Sequence, residues 1–136
     1  MQIDQNLLGK SSPPQTFAVT LEAVQRFMEA TGDPALESKE ALQYVPPTFP
    51  TTFRIRVPEL ALDPTTMQLL HGEQEYNYTR QLRIGEQVTC IARIVDVRER
   101  LGKGGTMTFI ITETTGTDSN QQPVFTARST AIVRQK

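Results

Sequence analysis

The sequence predicts an α+β fold, an antiparallel β-sheet wrapped around one central α-helix at about residues 20–31. Three observations carry that expectation. Only one stretch is strongly amphipathic at helical spacing; the periodicity changes from helical to two near residue 69; and the extended runs beyond it are joined by short, turn-like connections. The 136 residues suit one domain, spanning 1–136, with a single sizeable core.

Residues 1–16 are polar and end in Ser11-Ser12-Pro13-Pro14, which reads as an extended arm, and Phe17-Ala18-Val19 reads as a short strand. The helix follows in Thr20 to Ser38, TLEAVQRFMEATGDPALES. Thr20 suits an N-cap, and Glu22 complements the helix dipole in the first turn. Leu21, Val24, Phe27, Met28 and Thr31 form an apolar stripe. Gly32 supplies the C-terminal stop and Pro34 prevents resumption. Prolines 46, 47, 50, 58 and 64 break the next stretch into turns and short helices. Thr48, after Pro46-Pro47, could open one such helix with its first N–H groups pointing outward.

Strands are expected within Leu70–Leu82, Val88–Arg98, Thr106–Thr114 and Val124–Arg134. In the last, Phe125, Ala127, Ala131 and Val133 share one face. Gly102–Gly105 lacks the context of a phosphate cradle and reads as a hairpin turn. Four long antiparallel strands cannot leave their apolar face in water, and residues 20–31 form the only helix able to cover it. That arrangement is the hot-dog architecture.

Composition narrows the function. A net charge of −1 gives no field for a polyphosphate backbone, so nucleic acid is not an expected partner. No apolar run approaches the ~20 residues that span a bilayer, and the N-terminus lacks the pattern of a secretory signal. The expected address is the cytoplasm, with no membrane partner. The single cysteine, Cys90, lies in an apolar alternating run and reads as a small buried side chain rather than a nucleophile. Cys/His metal sites lack ligands, and neither metal nor cofactor is expected.

Several segments resemble one family. FMEATGD (27–33), VPPTF (45–49), LHGEQEYNY (70–78), QLRIGE (81–86) and the run ending at Thr126–Arg134 are similar to MaoC-like dehydratases. The nearest likeness is to the fatty-acid-synthase-type dehydratase N-terminal domain and to the non-catalytic subunit of heterodimeric 3-hydroxyacyl dehydratases. The resemblance implies a hot-dog domain working in pairs, as a homodimer or with another hot-dog subunit, on acyl-CoA or acyl-carrier-protein thioesters. It also implies a Gly-Asp motif with a histidine five residues after the Asp, and a helix-start N–H that holds the thioester oxygen.

Carried across, Asp33 matches the family acid, while the histidine position is Ser38. A serine hydroxyl is not basic near neutral pH, so it cannot replace imidazole. The backbone donor corresponds to the amides of Thr48 or Phe49, a role that survives side-chain change. These features imply an acyl-thioester hydratase/dehydratase-type domain acting on 3-hydroxyacyl or 2-enoyl thioesters, as an acyl-binding, stabilising partner without the full Asp–His pair. Alternatives remain open. The only histidine, His71, could serve Asp33 in an autonomous enoyl hydratase; the chain could bind acyl thioesters or lipids without chemistry; or Asp33 or Glu73 could activate water in a thioesterase. Plainer readings stand beside these. Asp33 can be a turn residue bonding local amides, Ser38 loop surface, His71 a structural strand residue, Phe49 a core plug, and Tyr76 and Tyr78 sheet packing. An exposed edge strand independently calls for dimerisation.

Overall fold

A computed structural model describes residues 5–38 and 43–135. Strand β1 (Gln15–Ala18) leads into α1 (Leu21–Thr31), and four long strands follow: β2 (Met67–Tyr78), β3 (Gln87–Gly102), β4 (Gly105–Thr117) and β5 (Pro123–Gln135). All pair antiparallel in the order β1-β3-β4-β5-β2. This curled five-stranded sheet with one helix against it is the hot-dog fold that the periodicity predicts.

The helix begins and ends where its capping residues dictate. The Thr20 side chain accepts from the Ala23 N–H at 3.1 Å, satisfying a first-turn donor that has no partner inside the helix. At the exit Gly32 adopts the left-handed region (φ 68°). There its N–H reaches the Glu29 carbonyl, and the Asp33 N–H reaches the Met28 carbonyl at 2.9 Å. Val24 and Met28 are fully buried, whereas Leu21, at the start of the stripe, stays 37% exposed.

The helix covers only part of the sheet. Val24 and Met28 pack with Val88, Cys90, Leu82, Phe125 and Ala127 in one cluster. A second cluster, of Ala92, Ile94, Val97, Ile110, Val133 and Met67, is sealed by Leu7 and Val57, with Leu60 and Leu62 against it. The polar arm expected at the N-terminus is therefore a structural element. It lies along the free edge of β3, where the Gly9 N–H meets the Ile94 carbonyl at 2.8 Å and the Ser12 N–H the Ala92 carbonyl at 2.7 Å. The buried Ser12 hydroxyl accepts in turn from the Ala92 N–H at 2.9 Å.

Local departures from simple alternation have structural causes. A register shift between Ile94 and Asp96 inserts Val95 as a bulge, so Val97 turns inward and is 5% exposed. Strict alternation would put Val97 on the face opposite to Ile94. A second shift between His71 and Glu73 leaves Gly72 unpaired in β2. Gly116 stands opposite Phe125, and a Cβ there would lie 2.4 Å from the Phe125 ring, so the aromatic side chain fills the place of the missing one. The Lys103-Gly104 turn joins Gly102 to Gly105 as the hairpin expected.

Two loops at one end of the sheet, 79–86 and 118–122, are tied by Arg80. Its guanidinium donates to Glu86 at 2.6 and 3.0 Å and to Asp118 at 3.2 Å. Glu86 also accepts from the Arg83 N–H. The hydrogen bonds to Glu86 hold Arg80 more firmly protonated than usual. Burial alone would raise the Glu86 carboxyl, but bonds from Arg80 and Arg83 hold it below 4.5. Asp118 is held below 3.8 chiefly by the Gln122 N–H, against the cost of burial, with help from Asn120 and Arg80.

Candidate functional site

Asp33 follows directly from the helix stop. Its Oδ1 accepts from the Ala35 N–H at 3.0 Å and caps a 3₁₀ turn over Pro34–Glu37. The carboxylate borders a shallow concavity of about 360 Å³ with Met28, Glu29, Leu36 and Glu37. Ser38 closes the same turn, its N–H bonded to the Ala35 carbonyl at 3.0 Å, and is exposed. Asp33 thus performs the local turn role that its neighbours Gly32 and Pro34 suggest, and it is half-buried at the rim of the concavity.

Thr48 and Phe49 open a 3₁₀ turn over Phe49–Thr52. The Phe49 amide is already bonded to the Pro46 carbonyl at 2.9 Å, so it is not a free donor. Pro50 has no N–H, and the Thr51 amide reaches the Thr48 carbonyl at 3.0 Å. Among the described residues the Thr48 N–H makes no hydrogen bond, which leaves it as the available backbone donor of this turn. Phe49 is 2% exposed and meets Phe27 of α1 and Phe53 edge-on, each at 5.7 Å, so its side chain is the core plug. The Tyr78 hydroxyl donates to the Pro47 carbonyl at 2.6 Å and pins the approach to this turn onto the sheet. Burial, and then the neighbouring Tyr76, raise the Tyr78 phenol.

His71 lies in β2 opposite Ala131 and is exposed. It does not line the concavity at Asp33. Glu73, also exposed, pairs with Thr130. Among the described residues no group of three or more His, Cys, Asp or Glu stands together as a metal site. Cys90 is wholly buried, and burial pushes its thiol up to about 12, which suits an inert core residue.

One feature had no sequence signal. Between the two core clusters an open groove of about 210 Å³ runs over the inner face of the sheet. Ala92, Thr112, Thr114, Phe125, Ala127 and Ser129 line it, with Gln74 and Tyr76 from the edge strand, and Pro50, Phe53, Ile55, Val57 and Leu60 form the opposite wall. Burial pushes the Tyr76 phenol to about 12, so it stays protonated. On the floor Thr112, Thr114 and Ser129 stand among Ala92, Phe125 and Ala127, whereas the opposite wall is apolar, a mixed lining that suits an apolar chain with a polar end. At about 30 Å³ per water-sized group, it has room for about seven methylenes. Alternation could name the inward residues but could not reveal that they leave a void.

A curled antiparallel sheet on one helix, with an acid at the helix exit and a groove on the inner sheet face, defines a hot-dog domain with an open candidate site. Residues 6–127 match the family described as FAS1-like, dehydratase domain region, and the chain belongs to it. A UPF0336 protein of Streptomyces avermitilis is 34% identical over 119 residues, covering 75% of this chain and 78% of that one. Among solved structures, the truncated HadBC (3R-hydroxyacyl-ACP dehydratase) complex of Mycobacterium tuberculosis aligns with a TM-score of 0.73 at 21% identity, over 96% of this chain and 99% of that one. The ChsH1-ChsH2 complex of the same organism aligns at 0.66 and 18%, over 90% and 83%. A MaoC-like dehydratase of Rhodospirillum rubrum aligns at 0.65 and 12%, over 95% and 93%. No helix among the described residues is long and apolar enough to cross a membrane.

Proposed function

We propose that this chain is the acyl-binding, stabilising member of a hot-dog pair that hydrates 2-enoyl thioesters or dehydrates 3-hydroxyacyl thioesters. One feature carries the reading: by the family resemblance Ser38 corresponds to the histidine of catalytic relatives, and it ends the same turn that Asp33 caps. General acid–base help is worth roughly 10²–10⁴-fold per group, so a site without the imidazole binds but hardly turns over. The groove supplies room for the acyl chain, and the Thr48 N–H supplies a donor for the thioester oxygen. Two of the aligned solved structures are complexes of unlike subunits, which supports a partner for this one.

In this account the proton-transfer groups come from the partner subunit. The chain's own part is to bury the acyl tail, to exclude water from the groove, and to place the thioester where the partner's groups reach it. Pairing Asp33 with His71 gains no support from their placement, since His71 stands on the edge strand and does not border the concavity at Asp33.

The test is complementation. The chain is mixed with a hot-dog subunit that carries the Asp–His pair, and hydration of crotonyl-CoA is followed. The reading expects the pair to turn over at an unchanged rate when this chain carries Asp33→Asn. A pair silenced by that substitution would show that Asp33 is a catalytic acid, and the binding-partner role would be wrong.

A further inference from the structure

The two edges of the sheet are finished differently. Beyond the four residues of β1, the free edge of β3 is taken by the N-terminal arm through Gly9, Lys10 and Ser12. The opposite edge is β2, twelve residues long and, among the described residues, paired only with β5. It leaves Leu69 and Leu70 55% and 56% exposed. A long open edge with exposed leucines is a template for another strand.

The outer face of the sheet indicates which strand. Register places Arg93 opposite Glu113, Glu113 opposite Arg128, and Arg128 opposite Glu75. All four are exposed. A row of alternating charge therefore crosses four strands and stops, at the open edge, on an acid. These are neighbouring positions rather than ion pairs; the Glu75 carboxylate is engaged by the Asn77 amide at 2.9 Å, on the same face. Opposite charges in facing positions of adjacent strands attract, and like charges repel.

We infer that β2 docks a strand of a non-identical partner that presents Lys or Arg opposite Glu75, and that a second copy of this chain fits the edge poorly. Antiparallel self-pairing would set β2 against β2. Met67–Tyr78 contains Glu73, Glu75 and His71 but no Lys or Arg, so no register places a fixed positive charge opposite Glu75. Two registers set it against Glu73 or against its own copy. This inference rests on the partner-dependent reading above and adds the chemistry of the partner's edge.

The test uses the full chain and a charge-reversed copy, Glu73→Lys with Glu75→Lys, each separately labelled and checked for folding by circular dichroism. Association is measured by sedimentation. The mixed pair is expected to associate about five- to tenfold more tightly than either self-pair, as two exposed pairs change from repulsive to attractive. High salt is expected to close the gap. A copy carrying Glu73→Gln with Glu75→Gln is expected to bind the wild type more weakly than the reversed copy does. Wild-type self-association as tight as the mixed pair, no association of the mixed pair, or equal binding of the Gln and Lys copies would each overturn the inference. Octanoyl-CoA binding by the wild type is measured alongside. If that binding holds while strand selectivity fails, only this inference falls; if selectivity holds and no thioester binds, only the functional reading falls.

Discussion

Filling the groove should separate long acyl chains from short ones. Ala127 is 6% exposed and lines the floor. Ala127→Leu adds three carbons, and at about 30 Å³ per group these take about 90 Å³ of the roughly 210 Å³ available. Room for about seven methylenes becomes room for about four. An octanoyl chain then leaves about three methylenes unburied, at ~0.8 kcal/mol each. The loss is ~2.4 kcal/mol, or about sixtyfold in Kd. A crotonyl chain still fits and should lose little. Isothermal titration of wild type and variant with octanoyl-CoA and crotonyl-CoA reads both values. The melting temperature should barely move, because the added atoms enter a void rather than a filled core. Undiminished octanoyl binding, with crotonyl binding intact, would refute the assignment of this groove to the acyl tail.

Three further outcomes follow from the geometry. Arg80→Met should weaken the protein at neutral pH and less so in acid. Glu86 and Asp118 have depressed carboxyls, so the stability they contribute is present above their ordinary 4.5 and 3.8 and is lost as pH falls through the lower folded values; urea unfolding at several pH values should show the gap between wild type and variant closing as acid is added. Gly116→Ala forces a Cβ into the Phe125 ring and should cost ~1–3 kcal/mol in urea unfolding. Cys90, wholly buried and with its thiol pushed up to about 12, should resist an aromatic disulfide reagent in the native protein and react at once in denaturant.

What could be read before the structure was what local chemistry decides. Thr20, Gly32 and Pro34 set the helix bounds because caps and breakers act on their own backbone. Phe125, Ala127 and Val133 were legible as one sheet face because alternation needs no tertiary information. Asp33's local role was equally legible, as Asx capping reaches only two residues on. What stayed hidden depends on register and on the meeting of distant segments. Leu7 gave no periodic signal, yet it seals a core cluster. The bulge at Val95 turned Val97 inward against the alternation. Choosing between the Thr48 and Phe49 amides required knowing that the Pro46 carbonyl takes the second. The charge row from Arg93 to Glu75 spans four strands, and only their pairing brings it into line.

The most direct measurement follows the isolated chain with crotonyl-CoA, recording binding by titration and loss of the enoyl chromophore in the same sample. A domain that holds the thioester without an imidazole beside its acid should give a saturable isotherm and an absorbance that stays flat. A decay whose rate scales with protein concentration would contradict that account, because the lone chain would then contain its own proton shuttle.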